Sequence, residues 1–413
     1  MSLARNIEFL RGLPGLNGWD GLGHVMPGGS GSPLVETRKF GTNPGNLRMF
    51  SYVPPDLRPH AALVVVLHGC GQTAARYDVG TGWSTLAKHY GFALLMPEQQ
   101  SANNAHTCFN WFNPDDTKRG HGEACSIRQM IARMVSQHRI DKNRVFITGL
   151  SAGGAMTSAM LATYPEVFAA GAIIAGLPYG VATNVREALS GMLRSPARSA
   201  NELGDLVRNA SKHRAPWPKI SVWHGSADRT VNPANADEIV KQWLDVHRLP
   251  SHPMAEGTVD GYPHQVWWNA EGETVVESYT ITDMAHGTPL GKAENDQHYG
   301  KQGAFLIEAG ISSSHHIASF FGITDGIPKL AKSPSRAGVD SPSAKLIPLA
   351  SPLPSPVPDL GKVLQPLIAA TRPSVSSGKP KAKSSAKPAA KPRRTLDVGA
   401  VITRALTAAG LMK

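Results

Sequence analysis

The sequence predicts an α/β fold in which a mostly parallel central sheet is covered by helices on both faces. Segments of aliphatic and β-branched residues alternate with segments whose apolar residues recur at helical spacing. The strand segments are nearly continuous in apolar residues, which is typical of parallel strands buried on both sides. Most of them end at a glycine or a proline, as strands do where the chain turns.

The elements follow one another in a regular order along the chain. Strands are predicted at residues 47–54, 62–69, 92–98, 144–149, 170–176 and 219–225. Helices are predicted at residues 83–90, 126–138, 152–164 and 235–247. Residues 264–281 are predicted to add a late hairpin or edge pair, and residues 312–322 a closing helix.

This α/β domain is predicted to span residues 45–322 and to be flanked by weakly structured segments. Residues 1–44 are glycine-rich and are predicted to be a loosely ordered lead-in with one short helix near Leu3–Leu10. Residues 323–393 are rich in Pro, Ser, Ala and Lys, and we expect a disordered linker because such a segment buries too little apolar surface. Residues 394–413 regain an apolar helical face and predict a C-terminal amphipathic helix.

The net charge of +11 is concentrated at the C-terminal end of the chain. Residues 323–413 contain 15 Lys and Arg against 4 Asp and Glu, whereas residues 1–322 contain 27 of each kind. The tail resembles the Lys-Pro-Ala tails of histone-like proteins, so nucleic-acid binding through phosphate contacts is one hypothesis for it. Because the front domain is neutral, that role would be accessory. The other hypothesis is attachment to an anionic surface or to an apolar granule.

The sequence predicts no transmembrane segment and no recognisable secretory signal. The longest clear apolar run, at residues 167–177, is shorter than the roughly 18 residues that a membrane span needs. The N-terminal residues lack a continuous apolar stretch and a small-residue cleavage pattern. Retention in the cell, export by another route and a start site further upstream all remain open.

The stretch TGLSAGG, at residues 148–154, places Ser151 between closely spaced glycines. It follows the strand segment RVFITG and precedes a helical segment. A G-x-S-x-G pattern alone is weak, but the strand–turn–helix context is the one in which a strained turn exposes a serine nucleophile at the top of a sheet. We therefore predict that Ser151 is a nucleophile; an ordinary turn is the alternative.

A serine nucleophile needs a base and an acid that orients the base, in the chain order Ser, Asp or Glu, His. WHGSADRTV ends a strand and supplies Asp228, and TITDMAHGTP ends another and supplies His286. Asp283 and Asp237 are weaker candidates for the acid. The backbone N–H groups of Ala152 and of a residue in the HGCG turn, best Cys70, are predicted to bind the oxyanion.

Six separated blocks of the chain resemble one known family in the same order. They are LHGCGQTAARYDVGTGW, CFNWFNPDD, RGHGEACSIRQMI, DKNRVFITGLSAGGAMTSAMLATYPEVFAAGAIIAGLPYG, WHGSADRTV and AHGTP. The chain resembles the esterase family of poly(3-hydroxybutyrate) depolymerases, which also contains feruloyl and acetylxylan esterases. The resemblance covers about residues 45–322. It implies an α/β-hydrolase fold with Ser151, Asp228 and His286 as the triad, and an extracellular location.

The chain departs from that family in two respects. Extracellular depolymerases usually carry a signal peptide and a folded polymer-binding module, and neither is recognisable here. Cys125 also stands where an apolar residue is expected.

The three cysteines allow at most one internal disulfide. Cys70 and Cys108 both fall in loops that follow strands, so a bridge between them would brace the predicted oxyanion loop. Cys108–Cys125 is the alternative pairing. The spacing of the cysteines and histidines does not predict a zinc site.

Aromatic residues in loops near catalytic groups often contact the substrate. Trp111 and Phe112 are candidates for that role, with Tyr179 as a weaker one; the alternative is that they anchor their loops to the core.

These observations predict a serine esterase that hydrolyses polyester, best poly(3-hydroxybutyrate) or its oligomers, through an acyl-enzyme and without a cofactor. The alternative within the same chemistry is a feruloyl or acetylxylan esterase. Secretion follows from the family resemblance, and a cytoplasmic, granule-associated enzyme is the alternative.

Overall fold

The predicted alternation of strands and helices forms one large mixed sheet. A computed structural model describes residues 31–195, 197–293, 295 and 297–324. Its strands are β1 (Val35–Thr37), β2 (Arg48–Tyr52), β3 (Leu63–Leu67), β4 (Ala93–Glu98), β5 (Val145–Leu150), β6 (Ala170–Ile174), β7 (Lys219–Gly225), β8 (Ala255–Val259), β9 (Tyr262–Trp268), β10 (Thr274–Ile281), β11 (Thr288–Leu290) and β12 (Leu306–Glu308).

The helices lie between these strands and after them. They are α1 (Ala74–Thr81), α2 (Trp83–Tyr90), α3 (Pro114–Thr117), α4 (Gly122–His138), α5 (Ala152–Thr163), α6 (Val185–Arg194), α7 (Ala200–Ala210), α8 (Ala234–His247) and α9 (Ser313–Phe320), with a short 3₁₀ turn at Pro165–Val167. Over the described ranges, every helix is too short or too polar to cross a membrane.

The sheet has the order β1-β2-β4-β3-β5-β6-β7-β10-β9-β8. The strands from β4 to β10 in this order run parallel, and antiparallel pairs close both ends. Parallel strands end at the same edge of a sheet, so the loops after β3, β5, β7 and β10 converge there. In open α/β sheets this carboxyl edge is where ligands bind.

Strand β3 shows how both faces of the sheet become buried. Leu63, Val65 and Leu67 belong to one core cluster, whereas Val64 and Val66 belong to another. Helices α4, α5 and α8 cover the first cluster, and α1, α2 and α9 cover the second. Alternate side chains of a strand point to opposite faces, so an all-apolar strand needs a helical layer on each side. The predicted α/β fold class is confirmed.

Several predicted boundaries need correction. The lead-in was predicted to extend to residue 44, but β1 pairs with β2 and places Val35–Thr37 in the sheet. At the other end Ile323 is buried in the second cluster, one residue beyond the predicted domain end. In the predicted edge pair, β10 lies inside the sheet, parallel to β7, and β8 forms the edge.

Helices α1, α3, α6 and α7 were not predicted, although each begins at a recognisable capping residue. Asn184 caps α6, and Ser199 and Glu202 form a capping box at the start of α7. The predicted helix near Leu3–Leu10, the linker beyond residue 324 and the C-terminal helix at residues 394–413 lie outside the described residues.

Candidate active site

Ser151 occupies a strained turn between β5 and α5. Its backbone has φ 57° and ψ −118°, a conformation that non-glycine residues rarely adopt. The turn is tight because helix α5 starts directly against β3: a Cβ on Gly153 would lie 2.4 Å from the carbonyl oxygen of Leu67. Glycine at this position therefore lets the serine stand at the carboxyl edge of the sheet.

Ser151, His286 and Asp228 form a continuous hydrogen-bonded chain. The Oγ of Ser151 lies 2.9 Å from Nε2 of His286, and Nδ1 of His286 lies 2.7 Å from Oδ2 of Asp228. The histidine and the aspartate are each only 5% exposed. Because the carboxylate accepts at Nδ1, the hydrogen of a neutral imidazole is held there, and Nε2 is left free to accept the serine proton.

The carboxyl group of Asp228 is held in its ionised form. Burial by itself would raise its pKa, but the charge of His286 and hydrogen bonds from His224 and His286 outweigh burial and lower the pKa. The other carboxylate oxygen accepts from the backbone N–H groups of Thr230 and Val231, at 2.8 and 2.9 Å. A carboxylate with these partners can stabilise an imidazolium on His286.

The two weaker acid candidates do not contact the histidine. Asp283 is exposed, and its backbone N–H donates to Ser226. Asp237 lies within helix α8. Among the predicted acids, the structure brings only Asp228 to His286.

The two predicted oxyanion donors lie on neighbouring parts of the carboxyl edge. Ala152 is the first residue of α5, and Cys70 follows β3. In the part of the chain that the structure describes, no hydrogen bond uses the backbone N–H of either residue. The turn around Cys70 is fixed from both sides, since Gly71 donates to the carbonyl of His106 and His68 Nδ1 donates to the carbonyl of Gly69. Two unused donors near the serine are what oxyanion binding requires.

The structure joins Cys70 and Cys108 in a disulfide and leaves Cys125 as a free thiol. The bridge ties the turn after β3 to the loop that follows β4. That loop continues into Trp111 and Phe112, so one covalent bond connects the predicted oxyanion turn with the predicted aromatic platform.

The three aromatic candidates have different surroundings. Trp111 is partly buried and packs against the cluster of Ala155, Leu177 and Val231, which neighbours the serine and the acid. Phe112, by contrast, is 9% exposed and packs in a separate cluster with Ala182 and Ala188. Trp111 also packs against this second cluster, with its ring 5.6 Å from that of Phe112. The burial of Phe112 favours the alternative that it anchors the loop, and its role as a substrate contact stays a prediction. Tyr179 packs against the main core, and its backbone N–H and carbonyl both bond to the Gln242 side chain.

Three residues at this edge were not predicted. Phe305 places its ring edge-on to His286, with centroids 5.9 Å apart. Gln72 accepts from the N–H of Gly69 and donates to the carbonyl of Ala304. His224 lies against Asp228. His224 and Gln72 carried a usable signal, since they stand in the same blocks as the acid and the predicted oxyanion turn, whereas Phe305 carried none. Among the described residues, no cluster of His, Cys, Asp or Glu is suited to hold a metal ion.

Comparison with known families identifies the chain. The model of the family described as "Esterase PHB depolymerase" matches residues 47–255, which carry the serine, the acid and the loops between them. The chain belongs to this family.

The relatives of this esterase carry names that refer to three different esters. It is 48% identical over 291 residues to "Poly(3-hydroxyalkanoate) depolymerase C" of Paucimonas lemoignei, with 70% of each chain covered. It is 33% identical to "Acetylxylan esterase" of Coprinopsis cinerea, covering 63% of this chain and 71% of the relative. "Feruloyl esterase B" of Thermothelomyces thermophilus is 34% identical and covers 52% of this chain and 75% of the relative.

A solved structure with the same fold is "Acetyl xylan esterase from Aspergillus awamori". It aligns with a TM-score of 0.60 and 24% identity over 70% of this chain and 99% of that one. This likeness supports the α/β-hydrolase fold. Carboxylic ester hydrolysis follows from the family match and the 48% identical depolymerase.

Proposed function

We propose that the esterase hydrolyses poly(3-hydroxyalkanoate), best poly(3-hydroxybutyrate) or its oligomers, with Ser151 as the nucleophile. The observation that carries the chemistry is the chain from Ser151 through His286 to Asp228, at 2.9 and 2.7 Å. The polyester is favoured over plant wall esters because the depolymerase relative is 48% identical, against 33% and 34% for the acetylxylan and feruloyl esterases.

In the first half of the reaction, the Oγ of Ser151 attacks the carbonyl carbon of an ester unit while His286 Nε2 takes its proton. The carbonyl oxygen becomes an oxyanion that accepts hydrogen bonds from the N–H groups of Cys70 and Ala152. When the tetrahedral intermediate collapses, His286 returns the proton to the leaving alkoxide oxygen. The products are an acyl-serine and a shortened chain that ends in a hydroxyl group.

In the second half, a water molecule replaces the alcohol. His286 takes a proton from the water, whose oxygen attacks the acyl-serine and forms a second oxyanion at the same donors. Collapse of this intermediate returns the proton to Ser151 and releases a carboxylic acid. Throughout, Asp228 keeps the hydrogen of the imidazole on Nδ1 and compensates the charge when His286 is protonated.

The Ser151 variant tests this assignment. Ser151→Ala should lower ester hydrolysis by about 10⁴-fold or more while the protein remains folded, since within the described residues the hydroxyl forms a hydrogen bond with His286 alone. Thermal unfolding of the variant provides the folding control. A folded variant with normal turnover would eliminate Ser151 as the nucleophile.

A substrate comparison tests the ester class. Purified enzyme should release hydroxy acid from 3-hydroxybutyrate oligomers with a higher kcat/KM than it shows for methyl ferulate or acetylated xylan. A preference for the feruloyl or the acetyl ester would replace the polyester in this proposal and leave the triad unaffected.

Export of the enzyme is part of the same proposal. Disulfides persist mainly in oxidising compartments, and the Cys70–Cys108 bridge braces the proposed oxyanion turn. An insoluble polyester outside the cell also requires an enzyme outside the cell. Fractionation of producing cells should find the activity in the medium; activity confined to the cytoplasm would favour the granule-associated alternative.

The basic tail is proposed to hold the enzyme on a polymer granule or an anionic surface. Eight Lys and Arg residues lie between Arg372 and Arg394 with no acid among them. A chain that ends at residue 325 should hydrolyse a small soluble ester at close to the full-length rate but adsorb less well, above all at low salt. Loss of soluble-ester activity and of thermal stability together would make the tail a structural part of the enzyme. Salt-sensitive DNA binding by residues 323–413 would support the nucleic-acid alternative.

A further inference from the structure

His224 lies beside the proposed triad without belonging to it. It is the next-to-last residue of β7 and is 3% exposed. Its Nε2 atom lies 3.0 Å from the carbonyl oxygen of Val231 and 3.2 Å from Oδ2 of Asp228. The imidazole therefore lies inside the loop from Asp228 to Val231 and contacts both of its ends.

The hydrogen of this imidazole is on Nε2. Both atoms that Nε2 faces, a backbone carbonyl oxygen and a carboxylate oxygen, are acceptors, so the nitrogen donates and its hydrogen is shared between them. Nδ1 is buried and finds no hydrogen-bond partner within the described residues. Burying an unpaired nitrogen costs free energy, and an apolar side chain would fill the same space without that cost. What distinguishes histidine from an apolar side chain at this position is therefore the donor at Nε2.

The contacts of Asp228 show what the additional donor does. Its Oδ1 accepts from the backbone N–H groups of Thr230 and Val231, and its Oδ2 accepts from His286. With His224 added, each carboxylate oxygen faces two N–H donors, and rotation of the carboxylate away from His286 would break contacts on both oxygens.

We propose that His224 is a positioning residue, which holds the Asp228 carboxylate and its loop in the orientation that His286 requires. The inference rests on the proposed roles of Ser151, His286 and Asp228. Within the described residues, no hydrogen bond joins His224 to Ser151 or His286, so it would act through the acid and its loop.

One further carboxyl group lies in the surroundings of His224. Asp237, on helix α8, has its pKa raised by burial and by Glu238, while the charges of His224 and Lys241 lower it. Asp237 makes no contact with the triad, so Asp237→Asn serves to separate a general charge effect from loss of the donor.

Loss of the His224 donor should affect both the rate and its pH dependence. With one N–H fewer, the Asp228 carboxylate becomes a stronger acceptor for His286 and favours the imidazolium, so the acidic limb of the kcat/KM profile should move to higher pH. Looser orientation of Asp228 should lower kcat by about ten- to hundredfold, the factor that corresponds to one hydrogen bond to a charged group. KM should change little.

The experiment compares His224→Leu, His224→Gln and His247→Leu in the full-length protein, with kcat, KM and the pH profile measured on a soluble ester. Gln places an amide N–H near the position of Nε2 and should recover most of kcat and the original acidic limb. His247 is the control, since it is partly buried and its Nε2 also faces a backbone carbonyl, that of Pro218, at 3.0 Å, but no hydrogen bond within the described residues joins it to the triad. Its replacement should leave the pH profile unchanged. If His224→Leu does not fold, His224→Asn, which is too short to reach Asp228, takes its place.

The outcomes distinguish a failure of this proposal from a failure of the proposed Ser151–His286–Asp228 triad. Asp228→Asn should be severely impaired, and His224→Leu should add little further loss in that background, because both changes remove the same function. An unchanged acidic limb and an unchanged kcat in His224→Leu, with Asp228→Asn inactive, would overturn the role of His224 alone.

The remaining outcomes would assign the effect elsewhere. Equal impairment of the Leu and Gln variants without a pH shift would mean that His224 contributes through packing. An active Asp228→Asn would instead overturn the triad. A shift in Asp237→Asn equal to that in His224→Leu would attribute the effect to charge.

Discussion

Two buried carboxyl groups at the carboxyl edge of the sheet, Asp228 and Glu123, receive similar hydrogen bonds and respond in opposite ways. Asp228 accepts from backbone N–H groups and from His286. Glu123, at the start of α4, accepts from the backbone and side chain of Asn110 and from the Gln99 side chain, at 2.9, 2.8 and 2.5 Å. The pKa of Asp228 is lowered, whereas burial raises the pKa of Glu123 to about 8.

The difference lies in the charge of the neighbours. Both carboxyl groups lose hydration, which favours the neutral acid. Asp228 faces His286 and His224, whose N–H groups, together with the positive charge that either ring carries when protonated, favour the carboxylate. Glu123 faces the carboxyl group of Asp116, which adds to the effect of burial, and its amide donors only partly compensate. The same kind of side chain thus serves as a charged partner in the acid loop and as a bracing group under the loop of Trp111.

The largest expected effect separates the two carboxyl groups by activity. Asp228→Asn should lower kcat by about 10³- to 10⁴-fold, because the amide presents a donor to Nδ1 and favours the wrong tautomer of His286. Glu123→Gln should leave kcat within about threefold, since Glu123 does not contact the triad. Steady-state kinetics on a soluble ester measures both. Asp283→Asn, an exposed acid in the histidine loop, is the control; if it were more damaging than Asp228→Asn, the acid would be misassigned.

The second expected effect is on the stability of the loop after β4, which the disulfide joins to Cys70 and which Glu123 contacts through Asn110. Cys108→Ser removes the disulfide that closes the loop back to Cys70, and should lower the free energy of unfolding by about 2–4 kcal/mol. It should also lower kcat, because the turn with the Cys70 N–H loses its brace. Cys125→Ser, which changes a free thiol on α4, should alter neither quantity. Thermal and denaturant unfolding measure the stability, and equal stability of the two variants would mean that the bridge contributes nothing.

The third effect is on the pH dependence of stability. The pKa of Glu123 is raised from 4.5 in the unfolded chain to about 8. Between these values the unfolded chain loses its proton first, so the contribution of Glu123 is full below pH 4.5, declines as the pH rises and levels off above about 8. The contribution of Asp228 has the opposite sign and is lost in acid, below its ordinary pKa of 3.8. Glu123→Gln should flatten the decline of Tm in neutral solution; an unaltered profile would show that Glu123 ionises normally.

A smaller change would test the cause that we assign to the shift. Asp116→Asn removes the negative neighbour of Glu123, so the pKa of Glu123 should fall and the decline in stability should end at lower pH. Asp115→Asn alters an exposed carboxyl group one residue away and should leave the profile in place. Tm against pH for both variants decides the point, and identical profiles would leave burial as the sole cause.

Much of the fold and of the candidate site was predictable, because the residue patterns that indicate them lie within short segments of the chain. Strand segments such as residues 144–149 and 219–225 are rich in apolar residues and end at glycines, so the α/β class and the loops after the strands could be derived from residue patterns. The elbow at Ser151 was recognisable from its own neighbours. Helices α6 and α7 could have been found from their caps, whereas the short strand β1 carries too little pattern to be found.

The sequence by itself determined the fold class, the chain order of Ser151, Asp228 and His286, and the concentration of basic charge beyond residue 322, since each depends on residue types at short spacing. The tertiary structure decided which acid meets the histidine, which cysteines pair and which aromatic ring is buried. It also decided that the pKa of Asp228 is lowered whereas that of Glu123 is raised. Those outcomes depend on distances between loops that are far apart in the chain. A carboxyl group or an imidazole takes its properties from the charges and donors within a few ångströms, and only the folded sheet determines which these are.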